Sequence, residues 1–268
     1  MLRSIFITVY VIYLLVGSVL SVAGYIETPG HVGWYASIVV HMIGVIWFSY
    51  IYLSKLKSAH LISLVVTTST GAGALIAGGH YLIVDSTIQL PVILSFIAFG
   101  FWGIYNFLYA KMSKKLDLTI GSSLPSGTFT TADGSSMTTD QLSKNSMIIF
   151  HRGSWCPFCN EQLDDFSKDV VSFEEKGVKL YAISTHPIKE RWTGSITELQ
   201  DQDGVYANSL GILRKSTLPF GLSILGYKTD LPAPLAILTD NEGKVKAIHK
   251  TDDYRRRPDT GYFLRYLN

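Results

Sequence analysis

The chain of 268 residues has only two cysteines, and its first 110 residues carry almost no charge. Two cysteines are too few for the disulfide framework that staples small secreted domains. A formal net charge of +2 gives no argument for a nucleic-acid partner. The charge is also unevenly placed. Residues 1–110 hold Arg3, Glu27, Lys55, Lys57 and Asp85, and every other charged side chain falls in 111–268. A hydrophobic half therefore precedes one with the composition of a water-soluble domain, and each half calls for a different solvent.

Four segments lack Lys, Arg, Asp and Glu altogether: Ile5–Ala23, Trp34–Leu53, Leu61–Val84 and Ile88–Ala110. Each is about the roughly 20 residues that a helix needs to cross a bilayer. Four such runs with short polar breaks predict a transmembrane four-helix region over 1–110, whose partner is the lipid bilayer. In the third run, Gly73/Ala77 and Ala74/Gly78 place small residues at four-residue spacing, which lets a neighbouring helix approach closely. Tyr25, Trp34, Tyr35 and Tyr109 near the span ends fit an interfacial belt. Ser21-Val22-Ala23 resembles a signal-peptide cleavage site, the alternative reading of the first run.

Arg3, Lys55 and Lys57, and then Lys111, Lys114 and Lys115, all fall on one side of the predicted spans. The alternate connections carry only Glu27 and Asp85. The positive-inside rule then predicts that both the N-terminus and the C-terminal domain face the cytoplasm, in the inner membrane. His41, His60 and His80 are ionisable residues in or beside the spans. They form no paired ligand set by sequence, so haem or quinone ligation stays an alternative to hydrogen bonding between helices. No span contains cysteine, which excludes a thiol relay across the bilayer within these helices and leaves anchoring as their reading. A basic linker, 111–119, follows.

Residues 120–268 read as one α/β domain. A turn at Asp133-Gly134 predicts a hairpin, and Ser146–His151 predicts a strand. Leu163, Phe166, Val170 and Phe173 mark an amphipathic helix that stops near Gly177. Val178–Ser184 is then a buried strand parallel to the first, since the helix supplies the crossover. Short helical turns are expected at Ile188–Trp192 and Val205–Leu210. An irregular insertion, Leu213–Leu231, either covers the motif described next or lies against the membrane. Leu235–Leu238 and Lys244–His249 form a hairpin around Asp240-Asn241-Glu242-Gly243, and a last helix runs from Arg256 to Leu267.

Both cysteines lie in Arg152-Gly153-Ser154-Trp155-Cys156-Pro157-Phe158-Cys159, at the strand-to-helix turn. A helix start exposes unpaired N–H groups and the positive end of the helix dipole. Cys156 is therefore expected to ionise readily, with Pro157 in the first turn and Cys159 one turn further in, shielded and placed to attack a mixed disulfide on Cys156. The predicted chemistry is thiol–disulfide exchange, which needs no cofactor and no metal. The competing reading, a structural zinc site, needs two further ligands from His151, His186 and His249.

These features in this order resemble the redoxin group of the thioredoxin superfamily, in the peroxiredoxin-like branch of the AhpC/TSA family. The resemblance covers about 120–268 and rests on Gly121…Pro125, Asp133-Gly134, the Arg152–Cys159 core and Pro234-Leu235-Ala236-Ile237-Leu238-Thr239-Asp240. It implies a thioredoxin-like fold and activity on protein or small-molecule thiols and disulfides, with hydroperoxides as further substrates. It also implies a cis bond at Pro234, facing the sulfurs, with Pro232 as the competitor for that place. Arg152 would favour a thiolate, Trp155, Pro157 and Phe158 would contact substrate, and the backbone at Ala233 would pair with an extended partner. The chain departs from typical peroxiredoxins in one motif: Ile149 and Gly153 stand where their Pro-x-x-x-Thr-x-x-Cys has proline and threonine, which weakens the case for a peroxidase. A redox-inactive interaction protein that uses the domain only for binding is the alternative from another class.

Overall fold

The computed structural model describes residues 2–53, 59–111, 116–224 and 226–267, with the backbone alone at 2–4, 60 and 220. The described chain divides near residue 111 into a helical unit and an α/β unit. Lys55, Lys57, Lys114 and Lys115, with the side chains of Arg3 and His60, lie outside the described residues.

The helical unit contains α1 (Leu2–Glu27), α2 (Val32–Leu53), α3 (His60–Ile83) and α4 (Leu90–Ile104), and α4 runs on into a π-helical turn at Tyr105–Tyr109. All four are long and apolar enough to cross a membrane. The expected small-residue approach is present. Gly73 lies against Val40 of α2 so closely that a Cβ would sit 2.4 Å from its Cγ2, while Ala74 and Ala77 are buried. With no hydrophobic drive between helices in lipid, close packing and internal hydrogen bonds must hold such a unit. Ser21 and Ser37 share a hydroxyl bond of 2.8 Å, and the Trp102 indole N–H donates to Thr67 Oγ1 at 2.8 Å. Of the described histidines, His41 is buried with Nδ1 bonded to the Ser37 carbonyl, and His80 packs edge-on against His31.

The α/β unit opens with the hairpin β1 (Thr128–Thr130) and β2 (Ser136–Thr138), followed by the short α5 (Thr139–Leu142). Then come β3 (Ser146–Phe150), α6 (Pro157–Lys168), α7 (Val170–Glu174), β4 (Lys179–Ser184), β5 (Thr197–Gln200) and α8 (Val205–Ser209). An excursion holds β6 (Leu213–Arg214), α9 (Phe220–Ser223) and β7 (Leu231–Pro232) before β8 (Leu235–Thr239), β9 (Val245–Lys250) and α10 (Thr260–Leu264) close the unit. The main sheet has the order β2-β1-β5-β4-β3-β8-β9. As expected, β3 and β4 are parallel, with Ile148 opposite Tyr181, and β8 and β9 are an antiparallel pair.

Every residue of β3 and β8 is buried, which is why both read as unbroken apolar runs rather than alternating ones. Met147, Ile149, Ala236 and Leu238 from these strands meet Leu163 and Phe166 of α6, Phe173 of α7 and Phe263 of α10 in one core. The two elements that carry the cysteine motif are thus fixed by the most buried part of the domain.

Two expectations are corrected, and one strand was not foreseen. Residues 188–192 are not helical: Glu190 and Gly194 have positive φ, and Trp192 is buried with its indole N–H donating to Asp164 of α6 at 2.7 Å. The polar stretch after it forms β5, pairing with β4. The last helix covers only Thr260–Leu264, because Pro258 disfavours helix at the residue before it and Asp259 caps the helix through the Tyr262 N–H at 2.8 Å.

Replacing Gly73 with Leu forces α2 and α3 apart and should destabilise the detergent-solubilised protein by about 1–3 kcal/mol. Gly79→Ala, at a position with nothing within 4 Å of its Cβ, should leave the unfolding midpoint unchanged or slightly raised. Equal losses in both would contradict this packing.

Candidate active site

The motif forms a tight turn between β3 and α6. His151 extends the ladder by donating its N–H to the Ile183 carbonyl at 3.0 Å, and Gly153 then turns the chain with φ +124°. The Cys156 N–H returns to the Gly153 carbonyl at 3.1 Å, which makes Cys156 the N-cap of α6 and Pro157 its first residue. Proline costs no hydrogen bond at that position. Cys159 lies one turn on, its N–H bonded to the Cys156 carbonyl at 3.0 Å. Both cysteines are free thiols, and both are almost fully buried.

The two sulfurs share a hydrogen bond, and the charge does not fall where the helix start alone would put it. Cys156 Sγ accepts no cap bond from α6. Cys159 Sγ receives the Arg152 backbone N–H at 3.4 Å and Arg257 Nη2 at 3.5 Å. Burial pushes the Cys156 thiol up, and donation of its proton to Cys159 pushes it further. Burial also opposes ionisation of Cys159, but the hydrogen bond from Cys156, the charge of Arg257 and the Arg152 N–H outweigh it and hold that thiol well below its ordinary value. The donors that favour a thiolate thus converge on Cys159 and not on Cys156, the reverse of the expected placement.

Arg152 is buried rather than solvated. Its guanidinium lies between two rings, 4.9 Å from the Trp155 centroid and 4.6 Å from that of Tyr254, and Nη2 donates to the Thr217 carbonyl at 3.2 Å. Arginine loses less hydration than lysine when buried and stacks on aromatic faces, which suits it to this sandwich. Trp155 also donates its indole N–H toward His186 Nε2 at 3.3 Å, and the Lys228 N–H points at His186 Nδ1 at 3.2 Å. A neutral imidazole accepts at one nitrogen, so His186 takes one of these donors at a time. Through Thr217 and Lys228 the excursion between β6 and β7 covers the motif, one of its two expected placements.

Trp155 and Pro157 keep partial exposure, as substrate-contacting residues must. Three other expectations change. Phe158 is buried edge-on against Tyr254 with centroids 5.9 Å apart, so it is a core residue here. The Ala233 N–H is already bonded to the Ile212 carbonyl at 2.8 Å, and the short β6–β7 ladder holds Pro232, so the edge expected to receive a partner strand is occupied by the chain itself. No peptide bond among the described residues is cis, so Pro234 follows a trans bond, in keeping with that extended pairing. Pro234 lines a small cleft with Gln162 of α6 and with Arg257. Arg257 and Tyr254 were not singled out from the sequence, and His186 was named only as a possible zinc ligand. The signal for the first two was Pro258-Asp259, a helix start that leaves the preceding residues outside the helix.

Residues 120–248 match the AhpC/TSA family. Thiol-disulfide oxidoreductase ResA of Bacillus thuringiensis (strain Al Hakam) is 23% identical over 142 residues, 53% of this chain and 74% of that protein. ResA of Bacillus anthracis matches to the same extent. Among solved structures, peroxidoxin BcpB from Mycobacterium tuberculosis has 17% identity and a TM-score of 0.45 over 56% of this chain and 96% of its own. Peroxiredoxin 5 from Alvinella pompejana has 16% identity and a TM-score of 0.46 over 56% and 97%. The C-terminal domain is thus similar to the redoxins of the AhpC/TSA family.

Burial lowers the imidazoles of His151, His186 and His249, that of His186 from 6.5 to about 4. The unfolded chain then binds protons that the folded chain refuses, so stability falls as pH drops from about 6.5 towards 4. Denaturant midpoints measured across that window should show this slope, and His186→Gln should flatten it. A slope unchanged in the variant would remove His186 from the account.

Proposed function

We propose that the chain is a membrane-anchored thiol–disulfide oxidoreductase that reduces protein or small-molecule disulfides through Cys156 and Cys159. The observation that carries this reading is the free, hydrogen-bonded thiol pair at the N-cap and first turn of α6. Cys156 borders the partly exposed Trp155 and Pro157, and it passes its proton across the hydrogen bond to Cys159 as it attacks a substrate sulfur. A mixed disulfide forms, and Cys159 resolves it by attacking Cys156 Sγ. The pair ends as a disulfide, and both electrons and the proton leave with the reduced substrate.

Disulfide exchange is favoured over peroxide reduction by Gly153. A threonine at this position, as in typical peroxiredoxins, would have to adopt φ +124° and place its Cβ 2.3 Å from His186 Cδ2. The usual peroxide pocket therefore has no room for its threonine. Hydroperoxide reduction through a Cys156 sulfenic acid remains the second reading, supported by the family. The four apolar helices serve as the anchor. A cytoplasmic redoxin domain is supported by the one-sided Arg and Lys distribution in the sequence.

The test is turnover of the reduced full-length protein on insulin or glutathione disulfide, set against a hydroperoxide. Disulfide turnover should be the faster of the two. Cys156→Ser should abolish it, and Cys159→Ser should accumulate mixed disulfides. Faster hydroperoxide consumption would favour the second reading, and turnover of neither substrate would defeat both.

A further inference from the structure

We propose that Arg257 is a positioning residue for the resolving step, its guanidinium holding Cys159 Sγ ready as the sulfur that attacks the mixed disulfide on Cys156. The inference rests on the disulfide-exchange reading above and assigns a role that the cysteine motif does not contain. Arg257 lies 98 residues beyond Cys159 in sequence, yet its Nη2 reaches the sulfur at 3.5 Å. It comes from the connection between β9 and α10 rather than from either element that carries the cysteines.

That connection is built to aim the side chain. Thr251 and Asp253 bond to each other, and Asp253 takes both Nε and Nη2 of Arg255, at 2.9 and 2.7 Å. The Asp253 carboxylate is thereby committed to the neighbouring arginine. Tyr254 lies against Arg152 and Phe158, which ties the connection to the cysteine turn. Pro258 then keeps position 257 out of the helix. Arg257 uses Nη1 on the Arg256 carbonyl at 3.0 Å, its Nε is buried without a partner, and among the described residues it has no carboxylate partner. Its charge is directed at sulfur.

The same sulfur takes the Arg152 N–H at 3.4 Å, so two donors converge on Cys159. The titratable and charged groups around it are Cys156, Arg257, His151 and Arg152, and His249 also feels Arg257. Burial keeps both histidines neutral, which leaves the two arginines as the cations. Cys159 holds the proton it took from Cys156 in the first step; it gives this up to the first departing substrate thiolate, and the Cys159 thiolate then attacks Cys156 Sγ. The Cys156–Cys159 bond forms, the bond from Cys156 to the substrate sulfur breaks, and the substrate leaves as a thiolate that takes a proton from water. The pair loses two electrons and the substrate gains them. Only the thiolate attacks, so the rate follows its population.

The experiment uses full-length protein in detergent with two readouts. In a Cys156→Ser background, ultraviolet thiolate absorbance is titrated for Arg257, Arg257→Gln and Arg257→Lys. In the intact pair, an aromatic disulfide that releases one chromophoric thiolate on attack and a second on resolution is followed through both phases. Arg257→Gln should raise the Cys159 titration by about one unit and slow the second release about tenfold, with the first release unchanged. Arg257→Lys, which keeps the charge, should recover most of both. An unchanged Cys159 titration in Arg257→Gln, or equal slowing of both releases in the two variants, would overturn the assignment. Absence of the second release in unsubstituted protein would defeat the disulfide-exchange reading, while the titration would still report on Arg257.

Discussion

Two thiols hydrogen-bonded to each other and shut away from water are the constraint on which the site depends. Neither thiol of the Cys156–Cys159 pair is exposed enough for water to stabilise a charge, so the domain must supply that stabilisation. It does so unevenly: the Arg152 N–H and the Arg257 guanidinium both reach Cys159, and the helix start gives Cys156 no hydrogen bond. These donors favour the proton on Cys156 and the charge on Cys159. A pair arranged this way separates two needs of disulfide exchange. The outer sulfur must acquire charge only when it attacks, and the inner one must have charge available whenever a mixed disulfide forms.

Three separate lengths of chain meet at this pair. The β3–α6 turn supplies the sulfurs, and the excursion around β6 and β7 touches Arg152 and His186 through Thr217 and Lys228. The connection after β9 supplies Tyr254 and Arg257. Gly153 links the first two, since its missing side chain is what lets His186 approach the turn. The same glycine occupies the place of the peroxiredoxin threonine. The contact between His186 and the turn and the absence of a threonine at this position thus have one cause.

Much of this was legible in the sequence because the physics involved is local. The apolar runs of β3, β4 and β8, the helix start at Pro157 and the four charge-free spans each declare themselves within a few residues. The placement of charge on the thiols was not legible, because it depends on Arg257, a residue that reads as the opening of a terminal helix until Pro258 and Asp259 are weighed as a helix start. β5 was hidden for a similar reason: Thr197–Gln200 is polar and alternates weakly, and only its pairing with β4 makes it a strand. The occupied edge at Ala233 follows from Ile212, whose carbonyl reaches it only once β6 and β7 have paired.

The central claim concerns which sulfur carries the charge, and a site-resolved titration addresses it directly. In reduced full-length protein with isotope-labelled cysteine, the Cβ chemical shifts of Cys156 and Cys159 are followed against pH and assigned with the two serine variants. The account predicts that Cys159 ionises first, well below the ordinary thiol range, while Cys156 stays protonated far above it. Ionisation of Cys156 first, or two independent titrations in the ordinary range, would contradict it.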